Sequence, residues 1–297
     1  MSLTPPPDTR RSGADTLYPL LFVALWSTGF IGAKFGLPDA EPLTFLTWRY
    51  AAVILLMGLA VMILRAPWPK ARSAWGHIAV SGLLVHGVYL GGVFIAISHG
   101  LPAGITALVV GLQPLVTALG ARTFLGEQIR PTQWAGLGLG FIGVGLVVAQ
   151  KTNSVPGHAL LTMLLPAVIA LLGITAGTLY QKRFCPSFDL RTGSIIQFVP
   201  CLLLTFAAAA MTETMHVRWS GPFLFALSWL VLVLSVGAVS LLNLLIRRGG
   251  AVQVASLFYL TPPMTALVAW ALFGETLAAL SMVGMAIAAV GVWLARR

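Results

Sequence analysis

Apolar residues run in ten blocks, at about 17–37, 42–64, 74–98, 102–123, 131–150, 158–181, 190–211, 221–246, 251–273 and 277–295, with polar and charged residues clustered between them. Each block approximates the ~20 residues an α-helix needs to cross a ~30 Å hydrocarbon core. The pattern therefore predicts an all-α membrane protein of ten transmembrane helices. The connections hold only a few residues, so successive helices are antiparallel neighbours and no soluble domain is inserted. Residues 1–16 carry three consecutive prolines, Arg10 and Arg11, but no apolar run ending in a small-residue cleavage site. They read as a disordered cytoplasmic tail.

The blocks are not independent. Leu112-Gln113-Pro114, Thr117-Ala118-Leu119 and Gly126-Glu127 return 148 residues later as Leu260-Thr261-Pro262, Thr265-Ala266-Leu267 and Gly274-Glu275, with eight identities in sixteen aligned positions. The same offset pairs Gly29 with Gly177, Lys34 with Lys182, Ala107 with Ala255, Gly136 with Gly284 and Gly143 with Gly291. Internal repetition fixes the architecture before any other feature, and here it divides the chain into residues 17–150 and 151–297, five blocks each. An odd number of spans obliges the second copy to enter the membrane from the opposite side. The expected fold is two inverted five-helix repeats around a central cavity, an arrangement that lets a transporter exchange outward-open and inward-open states around one site.

Composition agrees with the membrane reading: 58% of residues are hydrophobic and 9% charged, against roughly 25% charged in soluble domains. The net charge of +10 would suggest nucleic acid in a soluble protein. In a multi-span chain it follows instead from Lys and Arg held on the cytoplasmic side. With the N-terminus inside, the cytoplasmic segments hold fourteen basic residues and the outer segments three, Lys34, Lys151 and Arg218. Both termini are thus expected in the cytoplasm. Cys185 falls in a charged loop and Cys201 in an apolar run, so no mutual disulfide is expected.

Small residues mark close helix approach. Gly136, Gly138, Gly140, Gly143 and Gly145 in span 5, and Gly284, Ala288 and Gly291 in span 10, let backbones touch, either within the chain or across a homodimer. Pro114 and Pro262 each lie about twelve residues into spans 4 and 9, near the bilayer midplane. A proline lacks the amide proton and clashes with the carbonyl four residues back, freeing the carbonyls of Val110, Phe258 and, through Pro263, Tyr259. A neighbouring Thr, ordered water or a bound ammonium group could satisfy them. Thr106, Val110, Gln113 and Thr117 form one helical stripe, as do Gln253, Ser256, Tyr259 and Pro263. Span 3 adds His86, Tyr89 and Val93, and span 1 adds Trp26 and Phe30. Trp26, His86, Tyr89, Gln113, Pro114 and Tyr259 are the candidate substrate-binding residues, aromatic walls with few polar points.

Ionisable residues inside spans are functional candidates. Arg49 is the deepest, about seven residues into span 2, where it can snorkel outward; the second copy has Gln197 at the matched position. Lys34 with Glu275 at one surface, and Lys182 with Glu127 at the other, are candidate gate pairs, the alternative being lone capping charges. No Asp or Glu lies in mid-span, and no ATP-binding loop, H-E-x-x-H or G-x-S-x-G motif occurs. Neither enzyme chemistry, a metal nor a cofactor is called for.

Pro114 with Leu125-Gly126-Glu127, matched by Pro262 with Phe273-Gly274-Glu275, together with Trp26-Ser27-Thr28-Gly29-Phe30 and Trp48-Arg49-Tyr50, resembles the drug/metabolite transporter superfamily, specifically bacterial ten-helix proteins with two EamA-type halves. The likeness covers nearly all of residues 17–297 and is strongest to inner-membrane exporters of aromatic amino acids. It implies a multi-pass protein of the bacterial inner membrane that exports small amphipathic metabolites by alternating access, with a small-molecule substrate and the lipid bilayer as its partners and no nucleic acid. The competing readings are an exporter of cationic aromatic drugs, which a cavity without a carboxylate serves poorly, and a channel, for which no ring of charges is visible.

Overall fold

The computed structural model describes residues 13–101, 106, 109–149, 160–185, 187–273 and 279–296. Helices fall within every apolar block: α1 (Gly13–Ser27) and α2 (Gly29–Gly36) in the first, then α3 (Pro42–Leu64), α4 (Arg72–Ser98), α5 (Gln113–Gly120), α6 (Pro131–Ala149), α7 (Leu160–Phe184), α8 (Leu190–Thr212), α9 (Gly221–Arg248), α10 (Ala251–Ser256) with α11 (Thr261–Phe273), and α12 (Ala279–Ala295). Among the described residues, five helices are long and apolar enough to cross a membrane: α3, α4, α7, α8 and α9. No strand occurs there, and one isolated bridge joins Ala40 to Val217.

The shorter helices are short for local reasons. Between α1 and α2 the Ser27 hydroxyl donates to the Val23 carbonyl at 2.6 Å and the Thr28 hydroxyl to that of Leu25 at 2.7 Å, back-bonds that compete with the helix ladder and bend it. Both proline sites follow a local change of helical pitch, after which a new α-helical stretch begins. Pro114 occupies the first turn of α5 after a turn at Gly111-Leu112, and Pro262-Pro263 opens α11 after a 3₁₀ segment, Leu257–Leu260. The first turn is where a missing amide proton costs least. π-helical segments interrupt α4 at Leu83–Val88 and α9 at Leu230–Ala238. These are matched places in the two halves, so one irregularity occurs twice.

Packing pairs α3 with α8, α4 with α7, α1 and α2 with α9, α5 with α7, α1 with α11, and α6 with α12. Exchanging the halves leaves this set of neighbours unchanged. The α6–α12 seam is closest: a Cβ added at Gly143 would lie 2.5 Å from the Ala288 amide nitrogen, and one at Gly136 2.5 Å from that of Ala295. These glycine faces are therefore used within the chain, whereas Gly138 and Gly145 face open space. Cys185 and Cys201 are free thiols.

Two clusters tie the helix ends. At one end Glu213 accepts from the amides of Leu43 and Thr44 at 2.8 and 2.7 Å, Glu41 accepts from the Thr214 amide at 2.7 Å, and Asp39 binds Arg218 and Ser220. At the other, Lys182 Nζ donates to the carbonyls of Ile246 (3.0 Å) and Gly249 (2.6 Å), while Glu127 accepts from the Ala251 amide at 3.1 Å.

Candidate substrate cleft

Where the halves meet, a cleft with about 460 Å³ of empty space, counted to its open mouth, is lined by Trp26, Gly29 and Ala33 of α1 and α2, Arg49 of α3, Tyr89, Leu90, Val93 and Phe94 of α4, and Leu234 and Val239 of α9. The Trp26 and Tyr89 rings lie nearly parallel, 13° apart in plane with centroids 6.3 Å apart. Trp26 is backed edge-on by Phe258, 5.4 Å away. Backbone chemistry sets this wall. The break after Ser27 turns Gly29 and Ala33 toward α9, and Gly29 keeps that surface flat because a Cβ there would meet Leu234 at 3.3 Å.

Arg49 departs from the snorkelling expectation. Its side chain stays inside, 4% exposed, with Nε donating to Ser235 Oγ at 3.0 Å. The helix carries it inward because it shares the buried face of α3 with Phe45, Leu46, Tyr50 and Val53, while Trp48 takes the exposed face.

Of the candidate binding residues, Trp26 and Tyr89 line the cleft and the others do not. His86 is buried behind it, stacked on Phe198 at 4.5 Å, its carbonyl accepting from Tyr50 OH at 2.7 Å. Gln113, Pro114 and Tyr259 are buried among the proline helices, with the Tyr259 ring against Gly140. Among the described residues, the Gln113 amide, Thr117 and Thr261 hydroxyls and Tyr259 OH make no hydrogen bond, so this region holds polar capacity without forming part of the cleft. Val93 lines it as expected; the Phe30 side chain lies outside the described residues.

For the gate pairs, the Lys34 side chain and Glu275 lie outside the described residues. Lys182 and Glu127 form no ion pair with each other among the described residues. They grip one turn from two sides, Lys182 through the carbonyls of Ile246 and Gly249 and Glu127 through the amide of Ala251. Sequence reasoning missed Arg49, Gly29, Ala33 and Phe94 as lining. The available signal was the Arg49–Gln197 mismatch, a charge the repeat does not require.

The EamA-like transporter family matches residues 16–149 and again 161–297. The chain belongs to the EamA-like transporter family. An EamA-family chain is a membrane transporter and not an enzyme. Similar proteins include the uncharacterized inner membrane transporter YedA of Escherichia coli K12, 25% identical over 89% of this chain and 84% of that protein. A probable amino-acid metabolite efflux pump of the same strain is 25% identical over 95% of both chains. A probable terminal-alkyne amino-acid exporter of Streptantibioticus cattleyicolor is 25% identical over 94% of this EamA chain and 92% of its own length. One solved crystal structure shares the fold, with TM-score 0.74, 23% identity, and coverage of 94% of this chain and 95% of that one.

Proposed function

We propose that this protein is an inner-membrane secondary exporter of small amphipathic metabolites, foremost aromatic and other neutral amino acids, working by alternating access of two inverted five-helix repeats. The observation that carries the substrate class is the cleft itself: aromatic walls from Trp26 and Tyr89 beside one buried cation, Arg49. Aromatic faces suit a flat apolar side chain, and the few polar points suit a small molecule. A permanently cationic drug, the competing substrate, would meet Arg49 at close range without a described carboxylate in the lining to offset it.

Inversion and ten spans are supported by the odd number of blocks per half and by one contact. Glu127, just beyond α5, meets Ala251 at the start of α10, so the fourth block would end on the face where the ninth begins. Placement of both termini in the cytoplasm rests on the fourteen-to-three distribution of basic residues. The relatives named for amino-acid export point the same way.

Counterflow uptake of labelled Phe, Trp, Thr and a cationic dye into proteoliposomes, with and without a pH gradient, tests the reading. Uptake of the aromatic amino acids above that of the dye is expected. Uptake of the dye alone would overturn the substrate class.

A further inference from the structure

We propose that Arg49 binds the carboxylate of the transported molecule, so that the substrate class is an organic acid or zwitterion joining a carboxylate to an apolar or aromatic group. This rests on the exporter reading. A guanidinium carries five N–H donors, and among the described residues Arg49 spends one, on Ser235. Every acidic side chain described is engaged elsewhere, at the helix ends: Asp39 with Arg218 and Ser220, Glu41 with Thr214, Glu127 with Ala251, Asp189 with Arg191, and Glu213 with Leu43 and Thr44. A cation held inside a bundle without a counter-ion is costly and is retained for function. The fold does not ask for it, since the matched helix of the second half carries Gln197.

The remaining donors sit in a cleft walled by Trp26 and Tyr89. A carboxylate takes the planar fork of a guanidinium through two parallel hydrogen bonds, leaving the rest of the ligand against the aromatic wall. Recognition of this kind rejects an analogue that keeps the shape and loses the acid.

The test uses the full chain, wild type, Arg49→Gln and Arg49→Lys, with three probes of similar shape: L-phenylalanine, 3-phenylpropionate and L-phenylalaninamide. Binding is read by tryptophan fluorescence and thermal unfolding, and transport in proteoliposomes. Wild type is expected to bind the two acids more tightly than the amide. Arg49→Gln, which installs the residue already present at the matched position, should weaken both acids by about 10- to 100-fold and leave the amide no weaker. Arg49→Lys should recover part of the acid affinity. Equal weakening of acids and amide, or transport of phenylalanine by Arg49→Gln with an unchanged KM, would overturn the assignment; the second result would leave amino-acid export standing. Arg49-dependent binding of phenylpropionate without phenylalanine transport would keep the carboxylate site and remove amino-acid export. The acid-to-amide ratio of the wild type tests the assignment independently of how any variant folds, and a ratio near one sinks it.

Discussion

Positions 49 and 197 occupy the same place in the two halves, on the paired helices α3 and α8, and their side chains meet opposite circumstances. Gln197 sits in a continuous chain: Gln181 donates to Asn243 at 2.8 Å, Asn243 to Gln197 at 3.2 Å, and Gln197 to Ser81 at 3.2 Å, tying α7, α9, α8 and α4 together. Gly82 admits this contact, because a Cβ there would stand 2.5 Å from the Gln197 backbone. Among the described residues, Arg49 has one hydrogen-bond partner, and it faces a cleft. A duplicated fold thus satisfies its polar group from within on one side and leaves it for a ligand on the other. Two equivalent scaffolds carry two jobs, one closing the bundle and one binding.

The sharpest control is the place where the halves remain equivalent. Gly143 and Gly291 are matched and both lie in the α6–α12 seam, the latter against the Gly140 backbone. Gly143→Leu and Gly291→Leu should each cost about 3 kcal/mol or more by forcing the helices apart. Equal loss of monodisperse protein on size exclusion is expected for the two. A tolerated Leu at one site only would show that the seam, too, is unequal.

The next largest effect separates the unequal positions. Gln197→Leu strands buried groups of Asn243 and Ser81 and should destabilise by about 2 kcal/mol. Arg49→Gln, which removes a buried cation with one hydrogen bond, should leave the ligand-free unfolding midpoint unchanged or higher. Equal falls in midpoint for both would erase the distinction drawn between them. At the end closed by Lys182 and Glu127, Lys182→Ala should cost about 1 kcal/mol, since its carbonyl partners can turn to water. Hydrogen exchange should rise around residues 246–252 and not around 39–44.

Much of the architecture was readable in the sequence because it depends on period and repetition. The apolar blocks marked where helices fall, five of them long enough to span among the described residues, the 148-residue offset gave the matched neighbours, and the glycine spacing gave the seam. The proline sites were readable as interruptions, but not as helix starts, since either outcome satisfies a missing amide proton. The cleft was half readable. Trp26 and Tyr89 stood out by type and depth, whereas Gln113 and Tyr259 share that chemistry and pack elsewhere. Which face of a helix opens into a cavity is set by tertiary rotation, and in an almost uniformly apolar helix no amphipathic stripe records it. For Arg49 the inward turn comes from Phe45 and Tyr50 on the same face, a packing preference that composition does not reveal.

The smallest effect tests asymmetry at the helix ends. Asp39 is matched by Ser187, which has no charge to lose. The Ser220 hydroxyl, and then Arg218, hold the Asp39 carboxyl below its ordinary value. A group whose pKa is depressed by folding contributes stability that is present above its unfolded value, about 3.9, and is lost as pH falls through the lower folded value. The difference in unfolding midpoint between wild type and Asp39→Asn should therefore be flat from about pH 5 to 8 and shrink below about pH 4. Ser187→Ala should give no such pH-dependent difference. A wild-type advantage that persists undiminished at the lowest pH would mean that Asp39 acts by shape alone, and its charge would then add nothing to the asymmetry between the two halves.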